Sequence, residues 1–232
     1  MDLALQICSY AAWLPLIVLT ITALLRAGPA KYPILLAYLV VSFLTTAVEI
    51  YPSFSYYLSG RPQSDFVFVY WVDEGIREVL IFSVVVSLLY GASARVEQRR
   101  TLRFVLIVGG LLFVGISFLV HYSSQVRIGV WMTPWTRDLK FCAAILDLGL
   151  WALLLASRQK DQRLLLLTGA MGLMFTGEAI GESIRSLAIR SHSHLMVTLG
   201  GIVILVADLA FLYIWWQAFR KKDELLKPSF GR

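Results

Sequence analysis

Residues 66–90 read FVFVYWVDEGIREVLIFSVVVSLLY, an apolar stretch with a short charged run in its first half. A helix needs about 20 predominantly apolar residues to cross the hydrocarbon core of a bilayer, which is about 30 Å thick. This stretch is long enough for one crossing. It therefore predicts a membrane-spanning helix that carries charged side chains inside the membrane.

Six further stretches have a similar length and composition. The 232-residue chain is 58% hydrophobic and only 16% charged, with a mean hydropathy of +0.72, which lies outside the composition of soluble globular proteins. No segment between the stretches is long enough to form a soluble domain. We predict an all-α membrane protein whose residues 1–232 form a single transmembrane domain, a seven-helix bundle. The predicted spans lie near 3–25, 33–51, 66–90, 102–122, 134–156, 163–187 and 195–219.

Lysine and arginine are distributed unequally between the connections. Alternate connections and the C-terminal tail contain fourteen of these residues, the other connections contain three, and four lie inside spans. Cytoplasmic loops of membrane proteins are enriched in Lys and Arg. We therefore predict that the N-terminus lies outside, that the C-terminus is cytoplasmic, and that 220–232 form a short basic cytoplasmic tail.

The basic character of the chain follows from the same distribution. The formal net charge is +6 and the pI is near 9.4. A basic rim beside anionic lipid headgroups accounts for this charge, and no nucleic-acid-binding motif accompanies it. The lipid bilayer is the expected partner, and nucleic acid is not expected as one.

Turn residues indicate where several helices begin or end. Ala27-Gly28-Pro29 is expected to end the first helix and Tyr51-Pro52 to end the second. Thr133-Pro134 is expected to begin the fifth helix, as an N-cap followed by a proline at the first helical position.

Small residues predict where helices pack closely, and aromatic residues predict where the helices meet the membrane interfaces. Gly177 and Gly181 form a GxxxG pair, which is typical of closely packed membrane helices. Aromatic side chains near the outer ends of the spans, including Trp135, and near the inner ends, including Trp215, are expected to form belts at the two membrane interfaces.

Ionisable residues inside the spans are the main indication of function. A charged side chain at the bilayer centre costs about 2.5–3.5 kcal/mol on insertion scales, so such residues usually face the bundle interior and mark functional sites. The charges of the third, fifth and sixth spans each occupy one narrow face, in the outer half of the predicted bundle. We predict a ligand- or ion-binding pocket that opens outward. Its residues are Asp73, Glu74, Arg77, Glu78, Arg137, Lys140, Asp147, Glu178, Glu182, Arg185 and Asp208.

The charge balance of this outer region favours a cation. Without Asp147 and Asp208, which lie nearest the middle, and with Glu49 and Asp138 included, it holds seven carboxylates against four basic side chains. Such a surplus at low dielectric requires protonation, water or a bound cation. Oxygen ligands suit Ca²⁺ or Mg²⁺, but the interleaved basic groups argue against a metal, which is left open. The alternative is a set of internal salt bridges, for instance between Asp73 and Arg77.

Motifs of known enzymes do not occur in the sequence, which has no GxSxG or HExxH and no triad order. The positions of His121, His192 and His194 are poor for zinc and typical of a wet interface. The last span has no lysine for retinal, and the carboxylates near Lys140 favour a plain ammonium over a Schiff base. No catalytic residue or cofactor is assigned, and an enzyme is the less favoured class.

Two parts of the chain resemble a group of uncharacterised seven-span membrane proteins of environmental bacteria. The likeness runs over roughly the last two thirds of the chain. It rests on Tyr70-Trp71-Val72-Asp73-Glu74 and on the run from Thr136-Arg137-Asp138-Leu139-Lys140 to Gly177-Glu178-Ala179. The resemblance implies seven spans and a bacterial inner (plasma) membrane, and it implies no established activity.

Four functions fit these features. The favoured one is a sensor or receptor-like component whose pocket binds a small polar solute or cation. Because the longest inner connection has only about ten residues, its output requires a membrane or cytoplasmic partner protein. The alternatives are a proton- or cation-coupled transporter in which Asp147 and Asp208 continue the polar path inward, an accessory subunit of a membrane complex, and an intramembrane enzyme.

Overall fold

The computed structural model describes residues 3–59, 64–93, 99–156, 161–191 and 193–220, and all regular structure in these ranges is helical. A short 3-10 helix, Pro29–Lys31, follows the first α-helix. The α-helices are α1 (Leu3–Ala27), α2 (Pro33–Ser59), α3 (Ser64–Ala92), α4 (Arg99–His121), α5 (Ile128–Ala156), α6 (Gln162–Ser191) and α7 (His194–Arg220).

Each of the seven described helices contains a segment long and apolar enough to cross a membrane. The prediction of an all-α chain with seven such helices is therefore confirmed. The tail predicted over 220–232 lies, beyond Arg220, outside the described residues. The same holds for His192, and the side chain of His194 is likewise outside the description.

The first predicted helix end is confirmed. Helix α1 ends at Ala27, and Gly28 has a φ of 104°, in the left-handed region that favours glycine. Pro29 then opens the 3-10 helix, which ends at Lys31.

The Tyr51-Pro52 boundary is wrong, because α2 continues through both residues to Ser59. A proline removes one helical hydrogen bond, but a helix that is otherwise intact on both sides tolerates this, as membrane helices often do. The connection to α3 is correspondingly shorter than the sequence suggested.

The predicted start of the fifth helix is also wrong, because α5 begins at Ile128 and Pro134 lies inside it. Two threonine hydroxyls bond the backbone around this proline. Thr133 donates to the Gly129 carbonyl at 2.6 Å, and Thr136 donates to the carbonyls of Met132 and Thr133. These side-chain bonds tie down carbonyls on both sides of the proline, and the helix continues through it.

The chain divides into two compact units. Among the described residues, one unit contains α1, the 3-10 helix, the first turn of α2, α6 and α7; we call it the α1–α6–α7 unit. The other contains the remainder of α2 with α3, α4 and α5; we call it the α2–α5 unit. That the whole chain is one transmembrane domain stays a prediction.

In the α2–α5 unit, α3 and α5 run in the same direction. A side chain at Gly129 would meet Trp71, and one at Gly75 would meet Trp135, so contacts advance together along both helices. Helix α4 runs the opposite way to α5, because Phe118 packs on Trp135 whereas Tyr122, further along α4, packs on Trp131, which comes earlier in α5. Alternating directions are what a chain that repeatedly crosses a membrane requires.

Trp135 lies inside the α2–α5 unit, with 8% of its surface exposed. Its ring packs against Phe118, with centroids 5.3 Å apart, and it forms a small core with Met132 and Leu139. The prediction that Trp135 belongs to an interfacial belt is therefore wrong. The indole contributes to helix packing, because α4 and α5 bring several aromatic rings to one place.

In the α1–α6–α7 unit, α6 and α7 pack closely and in opposite directions. A Cβ at Gly177 would overlap Ala207, and one at Gly181 would lie 2.7 Å from the Gly200 carbonyl oxygen. The absence of side chains at these glycines thus permits the close approach. The prediction drawn from the GxxxG pair is confirmed.

Trp215 joins the same two helices further along and is fully buried. Its indole N–H donates to the Leu167 carbonyl at 3.1 Å, and its ring packs on Phe211. Trp215 therefore stabilises the α6–α7 pair, and its prediction as an interfacial anchor is wrong.

We expect Gly181→Ala to lower the free energy of unfolding by about 1–3 kcal/mol, the usual cost of overpacking. The added methyl would meet the Gly200 backbone, which cannot rotate away. Unfolding in mixed detergent and SDS measures the effect.

Gly169→Ala is the matched control on the same helix, because a Cβ there meets nothing within 4 Å. It should leave the stability unchanged or raise it by up to about 1 kcal/mol. Equal losses for the two variants would show that helix propensity, and not the close approach, sets the cost.

Candidate functional site

The candidate site forms where α3 and α5 approach each other in the α2–α5 unit. Gly75 allows the approach, because any side chain there would collide with Met132 and Trp135. Charged residues follow or precede this contact on both helices. Glu74 and Glu78 are one turn apart on α3, and Lys140 follows Trp135 along α5 in the same direction.

Lys140 bridges the two glutamates across the helix interface. Its Nζ donates to Glu74 Oε1 at 2.9 Å and lies 3.3 Å from Glu78 Oε1. Glu74 and Lys140 are 66 residues apart in the chain, so their bridge connects two helices and not neighbouring turns of one helix. The ammonium thus neutralises charge on two turns of α3 at once.

Arg77 neutralises the same carboxylates from within α3. Its Nη2 donates to Glu74 Oε2 at 3.0 Å, and its Nε lies 3.2 Å from Asp73 Oδ2. The predicted pair of Asp73 with Arg77 is confirmed. Glu74 therefore has each oxygen on a different cation, one within its own helix and one on α5. We call this group of side chains the α3–α5 charge cluster, and Glu74 is at its centre. Its members are Asp73, Glu74, Arg77, Glu78 and Lys140.

Helix α2 adds a further carboxylate to this region. Glu49 is half-buried and interacts electrostatically with Arg77. Among the described residues, four carboxylates with Glu49 included then face two cations, so this part of the unit has more acidic than basic groups. The excess predicted from the sequence thus persists among the side chains that the α2–α5 unit brings together.

The carboxylates of the cluster are less exposed than its cations. Asp73 and Glu78 are 4% and 7% exposed, whereas Arg77 and Lys140 are only partly buried. Neither oxygen of Asp73 has a hydrogen-bond donor among the described residues, although Arg77 is close enough for an ion pair. A buried carboxylate without donors costs free energy unless a proton or a cation compensates it.

Asp147 lies further along the same side of α5. It is 3% exposed, and seven residues separate it from Lys140, which is about 10 Å along the helix. Ala143, fully buried, lies between them. Among the described residues, no donor bonds Asp147 Oδ1. Asp147 is therefore a further buried acid on the face of α5 that carries Lys140, and it is not part of the α3–α5 charge cluster.

The remaining predicted site residues lie in several places. Arg137 is exposed on α5. On α6, Glu178 is half-buried, and Glu182, 61% exposed, pairs with Arg185 at 3.0 Å. Asp208 is half-buried on α7. The last four belong to the α1–α6–α7 unit, and their membership of one pocket with the α3–α5 charge cluster stays a prediction.

Sequence reasoning missed a second polar contact in the α2–α5 unit. Asp138 Oδ2 accepts a hydrogen bond from Ser117 at 3.1 Å and lies 2.8 Å from His121 Nε2. Ser117 and His121 are one turn apart on α4, a spacing that placed them on one face. The sequence predicts a wet interface for His121, and it does not predict Asp138 as the partner because it does not give the packing of α4 on α5.

The donor set limits the chemistry available at these sites. Among the described residues, no three His, Cys, Asp or Glu side chains are close enough to hold a metal ion. The α3–α5 charge cluster offers carboxylates, an ammonium and a guanidinium, which bind polar or charged groups and carry protons. The fold and site define a protein of seven apolar helices with a buried acidic ion-pair network. Comparisons with protein-family models, with curated proteins and with solved structures found no match to this chain.

We expect Glu74→Gln to lower the free energy of unfolding by about 1.5–3 kcal/mol, the usual contribution of hydrogen bonds to charged groups. The amide removes the charge that Lys140 and Arg77 share, although Glu78 and Asp73 remain beside them. Unfolding in SDS titrations measures the loss.

Glu182→Gln provides the comparison, because it breaks an ion pair of the same spacing in an exposed setting. The expected change is below about 1 kcal/mol. A Glu74→Gln variant as stable as Glu182→Gln would contradict the central position of Glu74.

Proposed function

We propose that the chain is a multi-pass protein of a bacterial inner membrane, with its N-terminus outside and its C-terminus in the cytoplasm. The apolar surface of α4 supports a lipid environment. Phe104, Leu111 and Leu119 are among many large apolar side chains of this helix that are exposed. Soluble monomers rarely expose apolar patches of that extent.

The orientation rests on the distribution of Lys and Arg, and the bacterial inner membrane rests on the resemblance described above. Fusion reporters test the orientation. A fluorescent protein at the C-terminus should fold and fluoresce, and alkaline phosphatase inserted at 60–63 should be active, because that connection is expected outside. An active phosphatase at the C-terminus would reverse the topology.

We further propose that the α3–α5 charge cluster binds a small cation or cationic solute and that the protein acts as a sensor or receptor-like component. The observation that carries this proposal is the surplus of carboxylates over cations around Asp73, Glu74 and Glu78. A purely structural network would be best served by balanced charges. An acidic surplus at low dielectric favours a positively charged ligand or protons.

Binding would act on the packing of α3 against α5. Lys140 reaches both glutamates, so a cation that competes for Glu78 would release part of this bridge. The two helices would then be free to shift relative to each other, which is a change that a partner protein can detect. No catalytic step is assigned to these residues.

A cation-coupled transporter is the second candidate, and Asp147 favours it. This buried carboxylate lies about 10 Å along α5 from Lys140 and supplies a second acidic position on the same side. A carrier needs such a position for an ion or proton that leaves the cluster. A sensor does not need it.

A thermal-shift screen with protons, Na⁺, K⁺, Mg²⁺ and small organic amines tests the binding proposal. We expect one of these cations to raise the melting temperature of the wild-type chain by several degrees, since a ligand that binds only the folded state stabilises it. Asp73→Asn and Glu78→Gln should abolish the shift, because both remove a buried acid of the cluster.

Asp161→Asn is the control, because Asp161 accepts the Leu164 N–H at the start of α6 and lies outside the cluster. It should keep the cation-dependent shift even if its melting temperature is lower. The binding proposal fails if no cation stabilises the wild type more than Asp73→Asn. Cation flux into liposomes that depends on Asp147 would replace the sensor with the transporter.

A further inference from the structure

One buried carboxyl of the α2–α5 unit takes no part in the α3–α5 charge cluster. Asp147 is 3% exposed, and among the described residues no hydrogen bond or ion pair includes it. One turn away on either side, Ala143 and Leu150 are fully buried. Asp147 therefore lies on a buried face of α5 whose adjacent positions are apolar.

A buried carboxylate requires a compensating positive charge. An isolated charge in an apolar interior is so costly that the group pairs with a basic side chain, coordinates a metal ion or takes up a proton. The side chains around Asp147 distinguish these three possibilities.

A basic side chain does not compensate Asp147. Lys140, seven residues earlier, is the nearest basic residue on α5, and its ammonium lies between Glu74 and Glu78. Side chains of a helix lean toward its N-terminus, so Lys140 extends away from Asp147. No ion pair of a described residue includes Asp147.

A metal ion would need more ligands than this carboxyl. Among the described residues, no three His, Cys, Asp or Glu side chains are close enough to hold one. Cys142, five residues before Asp147, lies on another face of α5. A proton needs only one carboxyl, so it is the cation that suits these surroundings.

Two neighbouring helices supply no ionisable side chain over long stretches. On α3 none occurs between Glu78 and Tyr90, and on α4 none occurs between Arg103 and His121. The charges of these helices are thus confined to the charge cluster and to the helix ends.

Helix α2 supplies two ionisable groups to the cluster. Tyr38 and Glu49 both interact electrostatically with Arg77. The other ionisable side chains of α2 are tyrosines that follow Glu49. No basic residue of α2 is available to compensate Asp147, because this helix contains neither lysine nor arginine.

We propose that Asp147 is a proton-binding site: its carboxyl is protonated in the folded protein. An apolar site can hold a carboxylic acid neutral at pH 7. Release of the proton places an uncompensated charge on the buried face of α5 and weakens its packing. This site does not depend on cation binding at the α3–α5 charge cluster. In the transporter alternative, it identifies the ion at the second acidic position as a proton.

Unfolding of wild type and Asp147→Asn across a pH series tests the site. An unfolded chain exposes the carboxyl to water, where aspartic acid releases its proton at roughly pH 4. Above this pH the folded wild type holds one proton more than the unfolded chain, so its stability falls as pH rises. The amide cannot titrate. The ratio of the unfolding equilibrium constants, wild type over variant, should rise by up to about tenfold per pH unit until the folded chain also releases the proton.

Glu182→Gln is the control in this series. Glu182 is 61% exposed and pairs with Arg185 at 3.0 Å, so its carboxylate is compensated without a proton. The ratio of wild type to this variant should not rise over the same pH range. A rise of equal size would mean that a general effect of pH, and not Asp147, sets the slope.

Dicyclohexylcarbodiimide gives a second measurement, on the wild-type chain alone. This apolar reagent reacts with protonated carboxyls: the proton moves to one carbodiimide nitrogen and the carboxyl oxygen bonds to the central carbon. The acyl group then shifts to a nitrogen and leaves a stable N-acylurea that contains the whole reagent. Peptide mass spectrometry should find this product at Asp147, decreasing about tenfold per pH unit once the folded chain releases its proton. Glu182 should remain largely unlabelled.

A ratio that stays constant with pH would overturn the proposal, because the wild-type carboxyl would then be ionised in the folded state as well. If Asp147→Asn does not fold, the labelling decides: alkali-sensitive labelling of Asp147 supports the site, and its absence refutes it. Stabilisation by acid that survives Asp73→Asn and is lost in Asp147→Asn belongs to this site. Cation binding at the charge cluster can therefore fail without affecting this result.

Discussion

The pairing of Glu74 with two cations is the interaction on which the α2–α5 unit depends. One oxygen of this carboxylate binds Arg77 on its own helix, and the other binds Lys140 on α5. Charges in an apolar helix pair are tolerated only when they compensate each other. The contact therefore fixes both the separation and the register of α3 and α5, and Gly75 is needed because a larger residue would push α5 away and keep Lys140 out of reach.

Several features of the fold were predictable from the sequence because they depend on composition and local spacing. Seven apolar stretches predicted seven helices, and Gly28 predicted the end of α1. The pairing of Asp73 with Arg77 followed from a separation of one helical turn. The GxxxG pair of Gly177 and Gly181 predicted close packing, since small residues leave room whichever helix is the neighbour.

Features that depend on the neighbouring helix were not predictable. Trp135 and Trp215 are of the residue type that is typical of interfacial anchors, but adjacent helices bury both. Prolines misplaced two helix boundaries, because α2 and α5 both continue through them, and in α5 Thr133 and Thr136 donate hydrogen bonds to backbone carbonyls near Pro134. For the candidate site, spacing predicted the charged face of α3. It did not reveal that Lys140 spans two turns of that face.

The parallel arrangement of α3 and α5 has a consequence for biosynthesis. Parallel neighbours are separated by a complete antiparallel helix, and Lys140 is 66 residues behind Glu74 in the chain. At about 5–20 residues per second, the lysine is made roughly 3 to 13 s after the glutamate. A chain inserted helix by helix would hold α3 with more acidic than basic groups until α5 arrives. Its insertion machinery would therefore have to retain α3, α4 and α5 and release them together.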